Sequence, residues 1–369
     1  MAGHRRINVT SGRPLEKLAH YSRAVRVGDM VLQSGTTAID RQGNVRGVGD
    51  VAAQVDAIMA IARWSMGKAG GRLEDVVRSR IYVTDIAVAA AAARAVAKYF
   101  RDVRPAATLV QVNRLARPEQ LVEIELDAVD GARDTARRIS SGRAIEEEYA
   151  YSRAVRVGNR VFISGSTALG AGGQVAGAGD LYRQTRSTMD TILAALHEAG
   201  GVPADIVYSK TFLTEVAAAA ARQDIYLQEQ RERSRGYARA VAVGDAVYVS
   251  GCTALSLTGK VEAEGDWAAQ SDLSHQAIER ALAQAGATLD DVVRRRSFTV
   301  DGAEVNRPHG QGPAWFAKSC PSSLGCRIAG LARPELLVEV EVAAVKGARA
   351  GIEWIGPDEV DPLDAATAR

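Results

Sequence analysis

Several residue types recur along this chain in a pattern suited to hydrogen bonding, proton transfer and anion binding. Tyr21, Tyr151 and Tyr237 each open a near-identical octapeptide: YSRAVRVG at 21–28 and 151–158, YARAVAVG at 237–244. At a fixed offset comes a Ser-Gly step: Ser34-Gly35, Ser164-Gly165 and Ser250-Gly251. Tyrosine and serine hydroxyls donate to carbonyl or carboxylate oxygens. The same residues also suit a hairpin packed at an interface and a tight strand end. Glutamates alternate on two strands, Glu123 with Glu125 and Glu339 with Glu341. On another strand Arg78 and Arg80 share one face, matched by Lys210 and by Arg294 and Arg296. Buried bases need partners. The glutamates can supply them, with Arg80 beside Glu123; otherwise Arg80 and Arg296 form a cationic cleft that draws a small carboxylate. His309 lies in a Gly- and Pro-rich run, 301–313, that would break a helix. It titrates near neutrality and suits acid–base work. Cys320 and Cys326 follow, so a Cys–His nucleophilic pair is a further possibility.

The elements that position these residues repeat three times. Each octapeptide and its SGTTA, SGSTA or SGCTA pentapeptide leads to an Asp that opens a helix: Asp50, Asp180 or Asp266. Four residues on stands Gln54, Gln184 or Gln270. A strand closed by an acid follows, ending at Asp85, Glu215 or Asp301. In the first copy, residues 25–32 read as two strands around a Gly28-Asp29 turn. Val51, Val55, Ile58 and Ala62 mark one helical face, with Asp50 as N-cap and Gly70-Gly71 as the stop. Strands over 76–83, 108–112 and 121–129 and a helix over 88–100 complete an α+β unit of order ββαβαββ. The middle copy is short: its last two strands have no counterpart, nor does the first strand of copy three. The expected units run 1–132, 133–233 and 234–347, with residues 133–138 as a linker and 348–369 as an extension.

The 369 residues are 47% apolar and 24% charged, a globular mix. A formal charge of +2 gives no field to hold nucleic acid through its phosphates. Three cysteines are too few for a disulfide framework and are not spaced as a zinc site. The start leads into no apolar run, and no stretch reaches the roughly 18 residues of a membrane span. A cytoplasmic protein without metal, membrane or nucleic acid is expected.

These landmarks resemble the RidA/YjgF family of small imine and enamine deaminases. The likeness rests on YSRAVRVG, the SGxTA pentapeptide, the helix stop, the acid-terminated strand and RPAATLVQV…LVEIELDAV over 104–129. It implies a chorismate mutase-like fold in which three units form a trimer, sheets facing a central barrel and a cleft at each boundary. Three copies in one chain then make a single-chain pseudo-trimer, alone or as a homodimer. The resemblance makes Glu123 and Glu339 holders of the attacking water. It makes Tyr21, Tyr151, Tyr237, Ser34, Gly35, Ser250 and Gly251 parts of the clefts. The family's carboxylate-gripping Arg falls at Ala107 and at Ser323, so 2-imino acids are expected to react poorly. A family Asn falls at Ala93 and at His309. No cofactor is implied. The expected activity is hydrolysis of a small imine, enamine or related carbonyl-type metabolite by water, with His309 and Glu339 placing the working cleft against copy three. The alternative is a non-catalytic binding or scaffolding protein that kept the fold. RNA cleavage is disfavoured by the charge.

Overall fold

The computed structural model describes residues 4–170, 172–214, 238–256, 259–305, 314–358 and 363. Copy one comprises β1 (Arg6–Val9), α1 (Pro14–Leu18), β2 (Ala24–Val27), β3 (Met30–Thr36), α2 (Val51–Lys68), β4 (Val76–Val83), α3 (Ala89–Phe100), β5 (Ala106–Gln111) and β6 (Val122–Val129). Copy two contributes α4 (Ala132–Thr135), β7 (Arg137–Ile139), α5 (Ala144–Glu148), β8 (Ala154–Val157), β9 (Arg160–Ile163) and α6 (Leu181–Glu198). Copy three adds β10 (Ala240–Val243), β11 (Ala246–Cys252), α7 (Trp267–Gln284), β12 (Val292–Val300), β13 (Ser322–Ile328) and β14 (Val338–Val345), and β15 (Ile352–Ile355) follows. The expected linker 133–138 is therefore structured: it ends a short helix and begins β7, because that stretch supplies copy two's outer strand, paired with β8.

Copy one forms the sheet β15-β1-β2-β3-β6-β4-β5 and copy three the sheet β10-β11-β14-β12-β13. In both, the central strand after the first long helix pairs in parallel on one side and antiparallel on the other. Copy two keeps only β7-β8-β9 among the described residues.

The repeated polar landmarks explain how each unit closes. Asp50 accepts from the backbone of Ala52 and Ala53, and Asp180 and Asp266 cap α6 and α7 likewise. Gln54 donates to Glu119 O at 2.8 Å and accepts from Leu121 N at 2.8 Å, tying α2 to the start of β6. Gln270 repeats both bonds with Glu335 and Leu337. Gln184 donates to Gly177 O at 3.0 Å, and among the described residues no strand of copy two takes the other two bonds. The apolar faces of α2 and α3 pack on β3, β4 and β6 around Ile58, Met59, Phe100, Ile124 and Leu126. On α6 Tyr182 and Met189 are exposed among the described residues.

The copies meet as one body. Copies one and two share a cluster of Val77, Ala106 and Val129 with Val155 and Phe162. Copies one and three share Tyr82, Val112 and Leu115 with Phe298, Leu324 and Cys326. The chain is a single-chain pseudo-trimer. Its end also returns to its start: β15 pairs in parallel with β1, and Asp358 accepts from Lys68 Nζ at 2.6 Å and Trp64 Nε1 at 2.7 Å. The expected extension thus supplies an outer strand to copy one. Deleting residues 351–369 is predicted to cost about 2 kcal/mol, from two half-buried isoleucines and one strand pairing. Chemical denaturation checks it, and an unchanged midpoint would count against the clasp. Asp358→Ala alone changes little, because its ion pair is solvent-exposed.

Candidate functional site

The barrel interior is a network of ions from all three copies. Asp127 accepts from Arg78 Nε at 2.7 Å, from Arg80 Nη2 at 3.1 Å and from Arg294. Glu125 takes Arg80 Nη1 at 2.6 Å and Arg296 Nε at 3.0 Å. Glu341 takes Arg296 at 3.0 Å, Lys210 at 2.9 Å and the Tyr208 hydroxyl at 2.9 Å. Burial opposes these carboxylates' charge, and the surrounding bases overcome it. Glu125 and Glu341 are held at about 2, and Asp127 lies well below the usual range. Arg80 and Arg296 are thereby committed to carboxylates, not to an open cleft. The expected pairing of Arg80 with Glu123 is replaced by Glu125 and Asp127, because strand register sets Arg80 opposite Glu125 and Tyr82 opposite Glu123.

Glu123 is left without a hydrogen bond or ion pair among the described residues. It sits over the Ser34-Gly35 step, where a Cβ on Gly35 would overlap its Oε1. That close approach is why the pentapeptide needs glycine. Burial, with a smaller push from Glu125, raises the Glu123 carboxyl to about 8, while Arg23 pulls it slightly down.

The boundary between copies one and three closes around this group. Ser34 Oγ accepts from Ser323 N at 2.9 Å, and Leu324 packs beside Gly35. Ser22 N donates to Pro321 O at 3.1 Å. Tyr21 is held by Arg23, whose Nη2 donates to the phenolic oxygen at 3.1 Å and to Glu16 Oε1 at 3.0 Å. Here Tyr21, Ser34, Gly35, Glu123 and Ser323 come together, five of the residues singled out from sequence. Arg23 and Glu16 were missed there. The signal was present: YSR at 21–23 recurs at 151–153, with Glu146 placed as Glu16 is, and the same Tyr–Arg–Glu chain forms.

The other boundaries differ from this one among the described residues. Between copies one and two, Ala107 N donates to Ser164 Oγ at 2.8 Å and Gly165 N to Ala107 O at 2.9 Å. Tyr151 is present there, but copy two has no glutamate strand among its described residues. Between copies two and three, Glu339 sits over Gly251 as Glu123 does over Gly35, with its carboxyl raised by burial. Among the described residues no strand of copy two lies over it, and a cleft of about 750 Å³ is lined by Tyr208, Arg239, Ser250, Gly251 and Glu339. Tyr237 and His309 lie outside the described residues. Cys326 is buried against Leu324 and Cys320 is half-buried; burial pushes both thiols up, which makes them poor nucleophiles. Among the described residues no three His, Cys, Asp or Glu side chains are grouped to hold a metal, and no helix is long and apolar enough to cross a membrane.

Comparison with known proteins adds three findings. The family model for endoribonuclease L-PSP matches residues 12–130, 141–235 and 228–346. The chain is 36% identical over 107 residues to the 3-aminoacrylate deaminase RutC of Acinetobacter baylyi, covering 29% of this chain and 84% of that protein. It is 33% identical over 127 residues to an uncharacterized protein of Streptomyces coelicolor, covering 34% and 94%. Among solved structures, a YjgF-family protein of Mycobacterium tuberculosis is 40% identical over 34% of this chain and 98% of its own, with a TM-score of 0.31. The RidA of an Antarctic Psychrobacter is 30% identical over 30% and 87%, with a TM-score of 0.28.

Proposed function

Since the chain belongs to the endoribonuclease L-PSP, or RidA/YjgF, family in three tandem copies, we propose that it hydrolyses a small imine or enamine at the boundary of copies one and three. The observation that carries this reading is Glu123: a buried carboxyl, unpaired among the described residues and raised to about 8, beside Tyr21 and the strand of copy three. Such a group exchanges protons near neutral pH, as a general base must. Water adds its oxygen to the C=N carbon while the Glu123 carboxylate takes a proton from that water and passes it to the nitrogen, giving a carbinolamine. Glu123 then takes the proton of the carbinolamine hydroxyl and delivers it to the amine, which leaves as ammonia as the carbonyl forms and the carboxylate is restored. An enamine reaches the same imine by protonation at carbon. Tyr21 and the Ser323 hydroxyl orient the substrate. The named activity of the RutC relative, deamination of 3-aminoacrylate, is of this type and supports the class of reaction.

The test generates imines in place with an amino-acid oxidase and traps them with semicarbazide. Added protein is expected to suppress semicarbazone formation by diverting imine to the oxo product and ammonia. Unchanged semicarbazone yield across amino acids of varied side chain would instead favour the binding or scaffolding reading. Glu339→Gln serves as the comparison, since Glu339 lines the wider opening between copies two and three.

A further inference from the structure

Two of the three boundaries hold a strand in the same lane, bonded in the same way. Between copies one and three the strand is β13: Ser22 N donates to Pro321 O at 3.1 Å and Ser323 N to Ser34 Oγ at 2.9 Å. Between copies one and two, β5 repeats both bonds. Ser152 N donates to Pro105 O at 3.0 Å and Ala107 N to Ser164 Oγ at 2.8 Å. Each strand also pairs in parallel within its own sheet, Ser322 opposite Arg294 and Ala106 opposite Arg78. The residue after each proline, Ser322 or Ala106, is fully buried, which restricts it to a small side chain. Three residues after the proline, Leu324 or Thr108 packs beside the glycine of the Ser-Gly step.

Between copies two and three the lane is open among the described residues. Ser250 Oγ donates to Ala238 O at 2.7 Å, as Ser34 Oγ does to Ser22 O and Ser164 Oγ to Ser152 O. There, however, it receives no donor, and Ala238 N meets no acceptor. The other wall of the lane is residues 206–213, which align with β4. Tyr208 and Lys210 both reach Glu341, the alternation of a strand. Yet no backbone group of 207–213 is hydrogen-bonded among the described residues. Matched side chains differ in cover. Val76, Tyr82 and Val83 are 1%, 2% and 0% exposed, whereas Ile206, Phe212 and Leu213 are 37%, 42% and 40% exposed. Unpaired backbone beside exposed apolar side chains is a template for another strand. The lane gives onto the cleft of about 750 Å³ that Tyr208 and Ser250 line.

We propose that this lane receives an extended segment of a separate partner polypeptide, added in parallel to residues 206–213. The two filled lanes state what that segment carries. It presents a proline carbonyl to Ala238 N, then two small residues, the second aiming its N–H at Ser250 Oγ, then a side chain of Thr or Leu size over Gly251. Apolar residues beyond them cover Phe212, as Val110 and Val112 pack with its counterpart Tyr82. A second copy of this chain has no such segment to spare. Its two strands of this pattern, β5 and β13, are each paired in their own sheet and bonded across their own boundary. Main-chain hydrogen bonds give such a contact its affinity, and the small-residue positions give it selection. The contact does not depend on whether Glu123 hydrolyses imines.

The test adds a fluorescein-labelled peptide with the sequence of residues 104–112, RPAATLVQV, to the full chain and reads anisotropy and hydrogen exchange. In the free chain the amides of 207–213 should exchange fast, unlike those of β4 and β12. The peptide should bind saturably and slow those amides by about tenfold or more. A peptide with N-methylalanine at the position of Ala107 loses the donor to Ser250 and should bind about fivefold more weakly, the scale of one hydrogen bond. Ser250→Ala should weaken the unmodified peptide by a similar factor, and combining the two changes should add little. Ser164→Ala, in a lane already filled, should leave binding unchanged. Where Ser250→Ala loosens its own hairpin, the N-methyl peptide on wild type decides. Amides 207–213 already protected in the free chain show that the chain fills its own lane. A concentration-dependent dimer that the peptide dissociates assigns the lane to a second copy. Either result, or a lack of saturable binding, or equal binding of the N-methyl peptide, overturns the proposal.

Discussion

Glu123→Gln is expected to lower kcat for imine hydrolysis by about 10²–10⁴-fold, the usual contribution of a positioned acid–base group. Glutamine matches the carboxyl in shape and keeps the packing against Gly35, but it cannot take a proton from water. The pH dependence follows from the same carboxyl. Burial raises it to about 8, so at pH 7 only about a tenth of the molecules carry the carboxylate. As a base it should make the wild-type rate climb with pH and level off above about 8, whereas the glutamine variant should be flat. Stability moves the opposite way. A folded-state value above the unfolded one means that the native chain binds more protons between about pH 4.5 and 8, so wild type loses stability as pH rises through that window. The variant does not titrate. It should equal wild type near pH 4 and exceed it by roughly 3–5 kcal/mol above pH 8. Lost activity together with gained alkaline stability distinguishes loss of chemistry from loss of fold. A wild-type rate independent of pH from 6 to 9, or a variant that keeps its activity, removes Glu123 from the reaction.

Much of this architecture is legible from the letters because the chain repeats itself. The octapeptide, the capping Asp and the Gln four residues later return three times, and each has a local job: a hairpin, a helix start, a tie to the last strand. Local chemistry of that kind does not depend on which copy sits beside which. What was not legible depends on neighbours. Arg80 was paired with Glu123 because both lie on adjacent strands, yet a two-residue difference in register decides for Glu125. Composition marks 348–369 as a polar tail, but four of its residues extend the sheet of copy one, a contact that no sequence period announces. The clefts lie between copies, so the residues that complete them are far apart in sequence: Ser34 and Ser323 meet across 289 positions.

Asp127→Asn should destabilise the whole chain by roughly 3–5 kcal/mol, the usual cost of leaving buried partners of an ion pair uncompensated. Asp127 is buried and is the acceptor for Arg78 and Arg80 of copy one and for Arg294 of copy three. Asparagine keeps the volume but removes the charge that three guanidinium groups share. A second exchange sets the scale. Asp29 pairs with Arg160 across the outer rim of copies one and two at 2.7 Å, with both side chains half-exposed. Asp29→Asn should therefore cost about 1 kcal/mol or less. Acid should act on the interior as the substitution does. Glu125 and Glu341 are held at about 2 by their bases. The unfolded chain thus binds more protons than the native one between about pH 4.5 and 2. The stability these groups contribute is complete above that window and is lost as pH falls through it. Because the network joins strands of copies one and three and, through Lys210 and Tyr208, the segment of copy two, acid unfolding should be one cooperative transition. Denaturant titrations at neutral pH and at pH 3, read by tryptophan fluorescence and circular dichroism together, measure both effects. An Asp127→Asn midpoint as close to wild type as that of Asp29→Asn would show that the interior charges do not hold the copies together. Two separated transitions would show that the copies unfold independently.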